Sequence, residues 1–144
     1  MERREKDMST TIRSEVSKKN VYWIERHRYY ELKHFCLQYP LWKKAYSEID
    51  GLCRQYSDTI KTTSPETSPT EKLAEDMLYY SERIDMVERA AYEADATLAN
   101  YILKAVTKGY SYEYLKSKLE IPCCREVYYQ LYRKFFWVLN AARK

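Results

Sequence analysis

The chain has 144 residues, which is enough for one compact domain or for a domain with a long helical extension. It contains only 2 Gly and 4 Pro, too few for the many turns of a sheet protein, so the composition disfavours β folds and predicts an all-α protein. The net charge of +4 is unevenly distributed: residues 1–60 carry +3, residues 61–100 carry −5, and residues 101–144 carry +6, with nine Lys and Arg against three Asp and Glu.

A basic end beside an acidic middle is typical of a protein whose last third contacts a polyanion. A solvated helix surface without a partner would give the same charges, so both interpretations stay open. No apolar run reaches the roughly 20 residues that span a bilayer, and the charged start lacks the apolar core of a secretion signal. We therefore expect a cytoplasmic protein, without membrane contact, whose 4 Cys are free thiols.

The first half of the chain divides into a tail, a helical hairpin and a linker. Residues 1–19 mix both charge signs with few apolar residues, which predicts a charged, flexible tail. Residues 20–58 are rich in aromatic residues and place apolar side chains at helical spacing on both sides of Pro40, which predicts a helical hairpin. Residues 59–69 are rich in Ser, Thr and Pro and are predicted to be a linker.

Residues 70–108 carry the most regular apolar pattern in the chain. Apolar residues recur at alternating steps of four and three without an intervening Gly or Pro, which predicts one long helix. So long a helix exceeds what a small core can cover. We expect its apolar stripe either to contact a second copy of the chain or to be covered by the hairpin. The stripe consists of Leu73, Met77, Tyr80, Ile84, Val87, Ala91, Ala94, Leu98, Tyr101 and Ala105.

Residues 109–144 have the pattern of a helix-turn-helix-like, DNA-binding element. Gly109 can end the long helix in a left-handed conformation, and Ser111 can cap a short helix that runs to about Glu120. Pro122 is expected to open a final helix. A short helix, a tight turn and a polar-faced last helix are typical of this DNA-binding motif. The inward face of the last helix is predicted to consist of Cys124, Tyr128, Leu131, Phe135 and Val138.

The side chains expected to contact DNA lie on the outer faces of this element. Arg can donate a pair of hydrogen bonds to guanine, Gln can pair with adenine, Glu can accept from cytosine, and Lys neutralises phosphates. The predicted contacts are Lys116, Lys118, Cys123, Arg125, Glu126, Tyr129, Gln130, Arg133 and Lys134, with Arg143 and Lys144 as further phosphate contacts. Lys116 and Glu120 occupy positions where the usual motif has a small residue and a glycine, which leaves the register of the recognition helix open. A helical hairpin that contacts no DNA is the alternative.

Three segments of the last third resemble a known group of proteins. Residues 105–112, 121–129 and 132–137 are similar to small helical proteins of Firmicutes phages and prophages that resemble the RinA/ArpU-type late transcriptional regulators. The aromatic stretch from Tyr22 to Pro40 resembles the N-terminal half of the same group. The resemblance implies a sigma-region-four-like helix-turn-helix that acts on phage late promoters in a bacterial host. The expected partners are double-stranded DNA, host RNA polymerase or another host protein, and a second copy of the chain.

The sequence disfavours enzymes and metal proteins. His27, His34, Cys36 and Cys53 are the candidate zinc ligands, but their spacing matches no chelating motif, and the adjacent Cys123 and Cys124 have poor geometry for one ion. Two Gly are too few for a glycine-rich phosphate loop, and neither His lies in a recognisable catalytic motif. We expect no catalytic residues and no cofactor.

The aromatic residues between 21 and 46 support a competing hypothesis. Tyr and Trp are enriched where proteins bind one another, so this segment favours a protein-interaction role, such as an anti-defence inhibitor or a packaging adaptor. Packing of the same side chains into the core is the alternative. A third hypothesis keeps DNA binding but assigns it to genome packaging, as in a small terminase subunit.

Overall fold

The computed structural model of the chain describes residues 18–59 and 69–143. These residues form α-helices joined by turns, without a strand, as the scarcity of Gly and Pro predicts. The predicted tail up to residue 17 and the part of the predicted linker from 60 to 68 lie outside the described residues. The helices are α1 (Arg26–Leu37), α2 (Tyr39–Thr59), α3 (Pro69–Ala94), α4 (Ala99–Lys108), α5 (Tyr112–Lys118) and α6 (Arg125–Ala142).

The described residues belong to two compact units. The first contains the chain up to Leu37 and again from Met86 onward, and the second contains Gln38–Asp85. The two helices predicted within residues 20–58 exist as α1 and α2, and Pro40 lies in the first turn of α2. Because α1 and α2 belong to different units, their arrangement as a hairpin stays a prediction.

Helix α1 supplies one wall of the core of the first unit. It begins after Glu25, whose carboxylate accepts hydrogen bonds from the backbone N–H groups of His27 (2.9 Å) and Arg28 (3.2 Å) and so satisfies donors that a helix start leaves unpaired. The buried side chains of α1 recur at steps of three and four, and this face packs against α4 and α6. They are Tyr29, Leu32, Phe35 and Cys36.

The prediction of one helix over residues 70–108 is wrong. Helix α3 ends at Ala94, and α4 begins at Ala99. Between them the carboxylate of Asp95 accepts hydrogen bonds from the N–H groups of Thr97 (2.8 Å) and Leu98 (2.9 Å). This short-range turn replaces helical hydrogen bonds without any Gly or Pro, which is why the sequence pattern did not reveal it.

The apolar stripe nevertheless continues across this turn. Its members from Ile84 to Ala105 are buried, apart from the half-buried Tyr101, whereas Leu73, Met77 and Tyr80 are half-buried. The greater part of the stripe is therefore covered within a single chain.

A network of polar contacts joins the start of α1 to the end of α6. The guanidinium of Arg28 donates to the side-chain oxygen of Asn140 (2.6 Å) and to the backbone carbonyl of Arg143, and it forms an ion pair with Glu31 (2.7 Å). Arg143 in turn lies 4.1 Å from the ring centroid of Phe35 and contacts the same Glu31 carboxylate at 3.3 Å. Because these groups satisfy the carbonyls that a helix end leaves unpaired, the network fixes the C-terminal end of α6.

The second unit contains α2 and the first part of α3. Trp42 is buried there, and the Cys53 thiol lies 3.7 Å from the sulfur of Met77, which connects the two helices. Of the other apolar side chains of α2, Ala45, Tyr46 and Ile49 are half-buried and Leu52 is exposed. Within the described ranges, no helix is both long and apolar enough to cross a bilayer.

Candidate nucleic-acid interface

The segment after α4 folds by the local signals that the sequence predicted. Gly109 has a φ of 76°, in the left-handed region, and its N–H donates to the carbonyl of Ala105, so it ends α4. The hydroxyl of Ser111 accepts a hydrogen bond from the N–H of Tyr114 (3.2 Å) and caps α5. Tyr112 and Leu115 of α5 are buried, and Leu119, just after the helix, is half-buried. The predicted roles of Gly109 and Ser111 are confirmed.

The turn between α5 and α6 is longer than predicted. The expectation that Pro122 opens the last helix is wrong, because Pro122 lies within the turn and α6 begins at Arg125. Glu120 adopts a left-handed φ of 57°, and the N–H of Ile121 reaches back to the carbonyl of Leu115 (3.1 Å). The Ile121 side chain is thereby buried, which anchors the turn to the core.

The predicted inner face of α6 was correct at two of five positions. Tyr128 and Phe135 are buried, whereas Cys124 is exposed and Leu131 and Val138 are only half-buried. The inner face consists of Tyr128, Tyr132, Phe135, Phe136 and Leu139. Apolar residues are adjacent at 131–132, 135–136 and 138–139, so the sequence is compatible with either of two buried faces. Packing against α1 and α4 selects the face that contains Tyr132, Phe136 and Leu139.

Aromatic contacts fix this inner face against α1. The hydroxyls of Tyr29 and Tyr132 share a buried hydrogen bond of 3.1 Å, and the rings of Tyr29 and Phe136 meet edge to face with centroids 5.1 Å apart. Burial raises the pKa of Tyr132 well above its ordinary value, so its hydroxyl stays protonated. The orientation of α6 about its own axis is therefore set by the core, and its opposite face is presented outward.

Arg125 is the first residue of α6 and is held by three neighbours. Its guanidinium forms an ion pair with Glu113 (2.6 Å), donates to the hydroxyl of Tyr129 (2.9 Å) and lies 5.0 Å from the ring centroid of Tyr112. The hydrogen bond from Arg125 lowers the pKa of the Glu113 carboxyl, and the same bond raises the pKa of Arg125. Both side chains stay about half accessible, at 48% and 61%. Arg125 is thus charged, oriented and open to solvent.

The remaining predicted residues of α6 are exposed or half-buried. Glu126 and Gln130 are exposed, and Tyr129, Arg133 and Lys134 are half-buried. One guanidinium nitrogen of Arg133 lies 3.5 Å from the side-chain oxygen of Gln130, while its Nε is buried without a hydrogen-bond partner among the described residues. The stem of Arg133 therefore packs against protein, and its terminal nitrogens extend toward Gln130.

The predicted residues outside α6 flank this face. Lys116 and Lys118 are exposed in the last turn of α5, and the Lys116 ammonium lies 3.5 Å from the carbonyl of Ile121. Cys123 is half-buried in the turn. Arg143 is engaged by the network that joins α1 and α6, and Lys144 lies outside the described residues. The structure thus places Lys116 beside the turn and the start of α6 beside the start of α5, whereas Arg143 is not part of this group.

Glu113 is the member of this surface that the sequence did not indicate. It lies 12 positions before Arg125, so no helical spacing links the two, and the contact exists because the turn brings the start of α6 back beside the start of α5. The acidic residue in the first turn of α5 was visible in the sequence, but its partner was not.

The described residues contain no group of three or more His, Cys, Asp or Glu side chains placed to hold a metal ion. What this surface offers chemically is a set of hydrogen-bond donors and acceptors with a cationic surround. The chain matches no known protein family, no curated protein and no solved structure.

Proposed function

We propose that this chain is a DNA-binding transcription regulator that contacts duplex DNA through α5, the turn after it and the first half of α6. The observation that carries the proposal is the two-sided character of α6. Its inner face is fully buried at Tyr128 and Phe135, while Arg125, Glu126 and Gln130 are exposed on the helix surface. A helix that exposes such residues near its N-terminus suits the major groove, where the first turns of a recognition helix contact base edges.

In this proposal α5 and α6 act as the two helices of a helix-turn-helix. Arg125 and Gln130 contact base edges, because a guanidinium can pair with guanine and a carboxamide with adenine. Lys116 and Lys118 contact the phosphates, where a flexible ammonium suffices. Residues 112–134, which contain α5, the turn and the start of α6, carry five Lys and Arg against three Glu, and this net charge of +2 favours approach to DNA.

The resemblance to RinA/ArpU-type late regulators supports the same function and narrows the target. It favours DNA near phage late promoters, with a sigma-region-four-like use of α6 and host RNA polymerase as a protein partner.

The competing protein-interaction role concerns the aromatic segment. Tyr29, Phe35 and Trp42 are buried at 2%, 5% and 5% relative exposure, so these three rings are not available to a partner. The other aromatic side chains of the segment are half-buried: Tyr22, Trp23, Tyr30, Tyr39 and Tyr46. Pull-down from host lysate after nuclease treatment separates the two roles, because an interaction protein retains a stoichiometric partner without nucleic acid.

Alanine substitutions test the proposed function. Equilibrium binding to labelled phage promoter DNA is measured by fluorescence anisotropy for the unmodified chain, Arg125→Ala and Gln130→Ala. A lost base contact is worth about 1–3 kcal/mol, so each variant should bind about 5- to 150-fold more weakly. Lys72→Ala is the matched control, since it removes an exposed side chain from α3. Equal affinities for all four proteins would contradict the proposal.

A further inference from the structure

The turn that precedes α6 contains two adjacent thiols. Cys123 is half-buried and Cys124 is exposed, and both are free. Neither thiol contributes to the core of the first unit, and the side chain of Cys124 makes no capping hydrogen bond at the start of α6. The pair is therefore accessible to a small oxidant.

The peptide unit between these cysteines also positions the candidate interface. Its carbonyl, which belongs to Cys123, accepts a 2.7 Å hydrogen bond from the hydroxyl of Tyr112. The next carbonyl, that of Cys124, accepts the N–H of Tyr128 (3.0 Å) and so forms the first turn of α6. Tyr112 also lies beside the guanidinium of Arg125. Rotation of this one peptide unit would disturb both the first turn of α6 and the position of the Arg125 guanidinium.

From this geometry we infer that Cys123 and Cys124 form a reversible thiol-oxidation site that weakens DNA binding when its disulfide closes. The inference rests on the proposed function, and it adds regulation to the same surface. Disulfides prefer Cα atoms about 4.4–6.8 Å apart, whereas neighbouring Cα atoms lie about 3.8 Å apart across a trans peptide. A bridge between adjacent residues is therefore strained, requires the backbone to adjust, and is readily reduced again, as regulatory disulfides are.

The oxidant is a peroxide, and the reaction proceeds in two balanced steps. The more exposed Cys124, as thiolate, attacks one peroxide oxygen, the O–O bond breaks, and the departing hydroxide takes a proton and leaves as water, which gives a sulfenic acid. The Cys123 sulfur then attacks the Cys124 sulfur, the S–O bond breaks, and a second water leaves with the thiol proton. Burial raises the pKa of the Cys123 thiol, which suits it to be the second thiol to react. Thiol reductants reverse the reaction.

The test combines mass spectrometry with DNA binding. The intact chain is treated with hydrogen peroxide, remaining thiols are alkylated, and trypsin releases residues 119–125, which contain both cysteines. We expect this peptide to have lost two hydrogens and to carry no alkyl group. We expect the oxidised protein to bind promoter DNA about tenfold more weakly, as for loss of one good base contact, and dithiothreitol to restore the affinity.

Two variants serve as controls. Cys124→Ser cannot close the ring, and serine is a favourable first residue before a helix, so its affinity should be the same before and after peroxide. Cys53→Ser, in α2, should respond as the unmodified chain does.

Failure of the inference is distinguishable from failure of the proposed function. If the reduced chain binds no DNA, the proposed function is wrong and the regulation falls with it. If the reduced chain binds DNA, then absence of the 119–125 disulfide, or an unchanged affinity once it has formed, overturns the inference alone.

Discussion

Glu113→Gln is the substitution whose effect on DNA binding follows most directly from the geometry of the interface. In the free protein the Arg125 guanidinium is paired with Glu113 at 2.6 Å. A guanidinium that turns toward a base must give up this partner, and the Glu113 carboxylate also repels nearby phosphates. Glutamine has nearly the same shape without the charge, so Glu113→Gln should release Arg125 and tighten DNA binding.

The size of the effect follows from the exposure of the pair. Since both side chains are about half accessible to solvent, the ion pair is screened and contributes at most about 1 kcal/mol. Relief of that energy corresponds to an increase in affinity of about two- to fivefold. Arg125→Ala should act in the opposite direction, by about 5- to 150-fold, because it removes the proposed base contact itself.

Fluorescence anisotropy at one fixed salt concentration measures both changes. Glu75→Gln is the matched control, because it removes the same charge from an exposed position of α3. Circular dichroism establishes that each variant is folded, as Glu113 also stabilises the first turn of α5. Weaker binding by folded Glu113→Gln would refute the reasoning, since Glu113 would then orient Arg125 for DNA.

Three further predictions concern stability. Tyr132→Phe removes a hydroxyl that shares a buried hydrogen bond and should lower the free energy of unfolding by about 1 kcal/mol. Tyr128→Phe removes a buried hydroxyl without a partner among the described residues and should leave the free energy of unfolding unchanged or raise it. Urea denaturation of both variants checks this, and equal losses would contradict it. Gly109→Ala should lower the free energy of unfolding by about 1–2 kcal/mol, because φ is 76° and an added Cβ would strain the backbone. No neighbouring atom obstructs that Cβ, so the strain acts alone, and an unchanged melting temperature would disprove the prediction. The hydrogen bond from Arg28 lowers the pKa of Glu31 below its ordinary 4.5, so the folded state favours the charged carboxylate. The stability that this carboxylate contributes is present above pH 4.5 and is lost as the pH falls through its lowered pKa. Glu31→Gln should flatten the decline of stability below pH 4.5, and an unaltered profile would count against this.

Features set by a few neighbouring residues were predictable from the sequence. Gly109 and Ser111 act through their own backbone conformation and hydroxyl within one helical turn, so the boundary between α4 and α5 was predicted correctly. The core positions of α1 were predictable for the same reason, because Leu32, Phe35 and Cys36 offer one apolar face at helical spacing.

Features that depend on three-dimensional contacts were not predictable in the same way. Asp95 is compatible with a helix surface, and only its two backbone hydrogen bonds make it a helix end. The register of α6 depended on how far the turn after α5 extends and on which of two adjacent apolar rows meets α1. The Glu113 contact with Arg125 arises from that turn, so the sequence contained both residues without the relation between them.

The salt dependence of DNA binding tests the central claim most directly. The reduced, full-length chain is titrated with promoter-proximal phage DNA at several salt concentrations. If Lys116 and Lys118 each neutralise one phosphate, the logarithm of the binding constant should fall linearly with the logarithm of the salt concentration, with a slope of about −1.8. Absence of binding, or binding that salt leaves unchanged, would contradict the account.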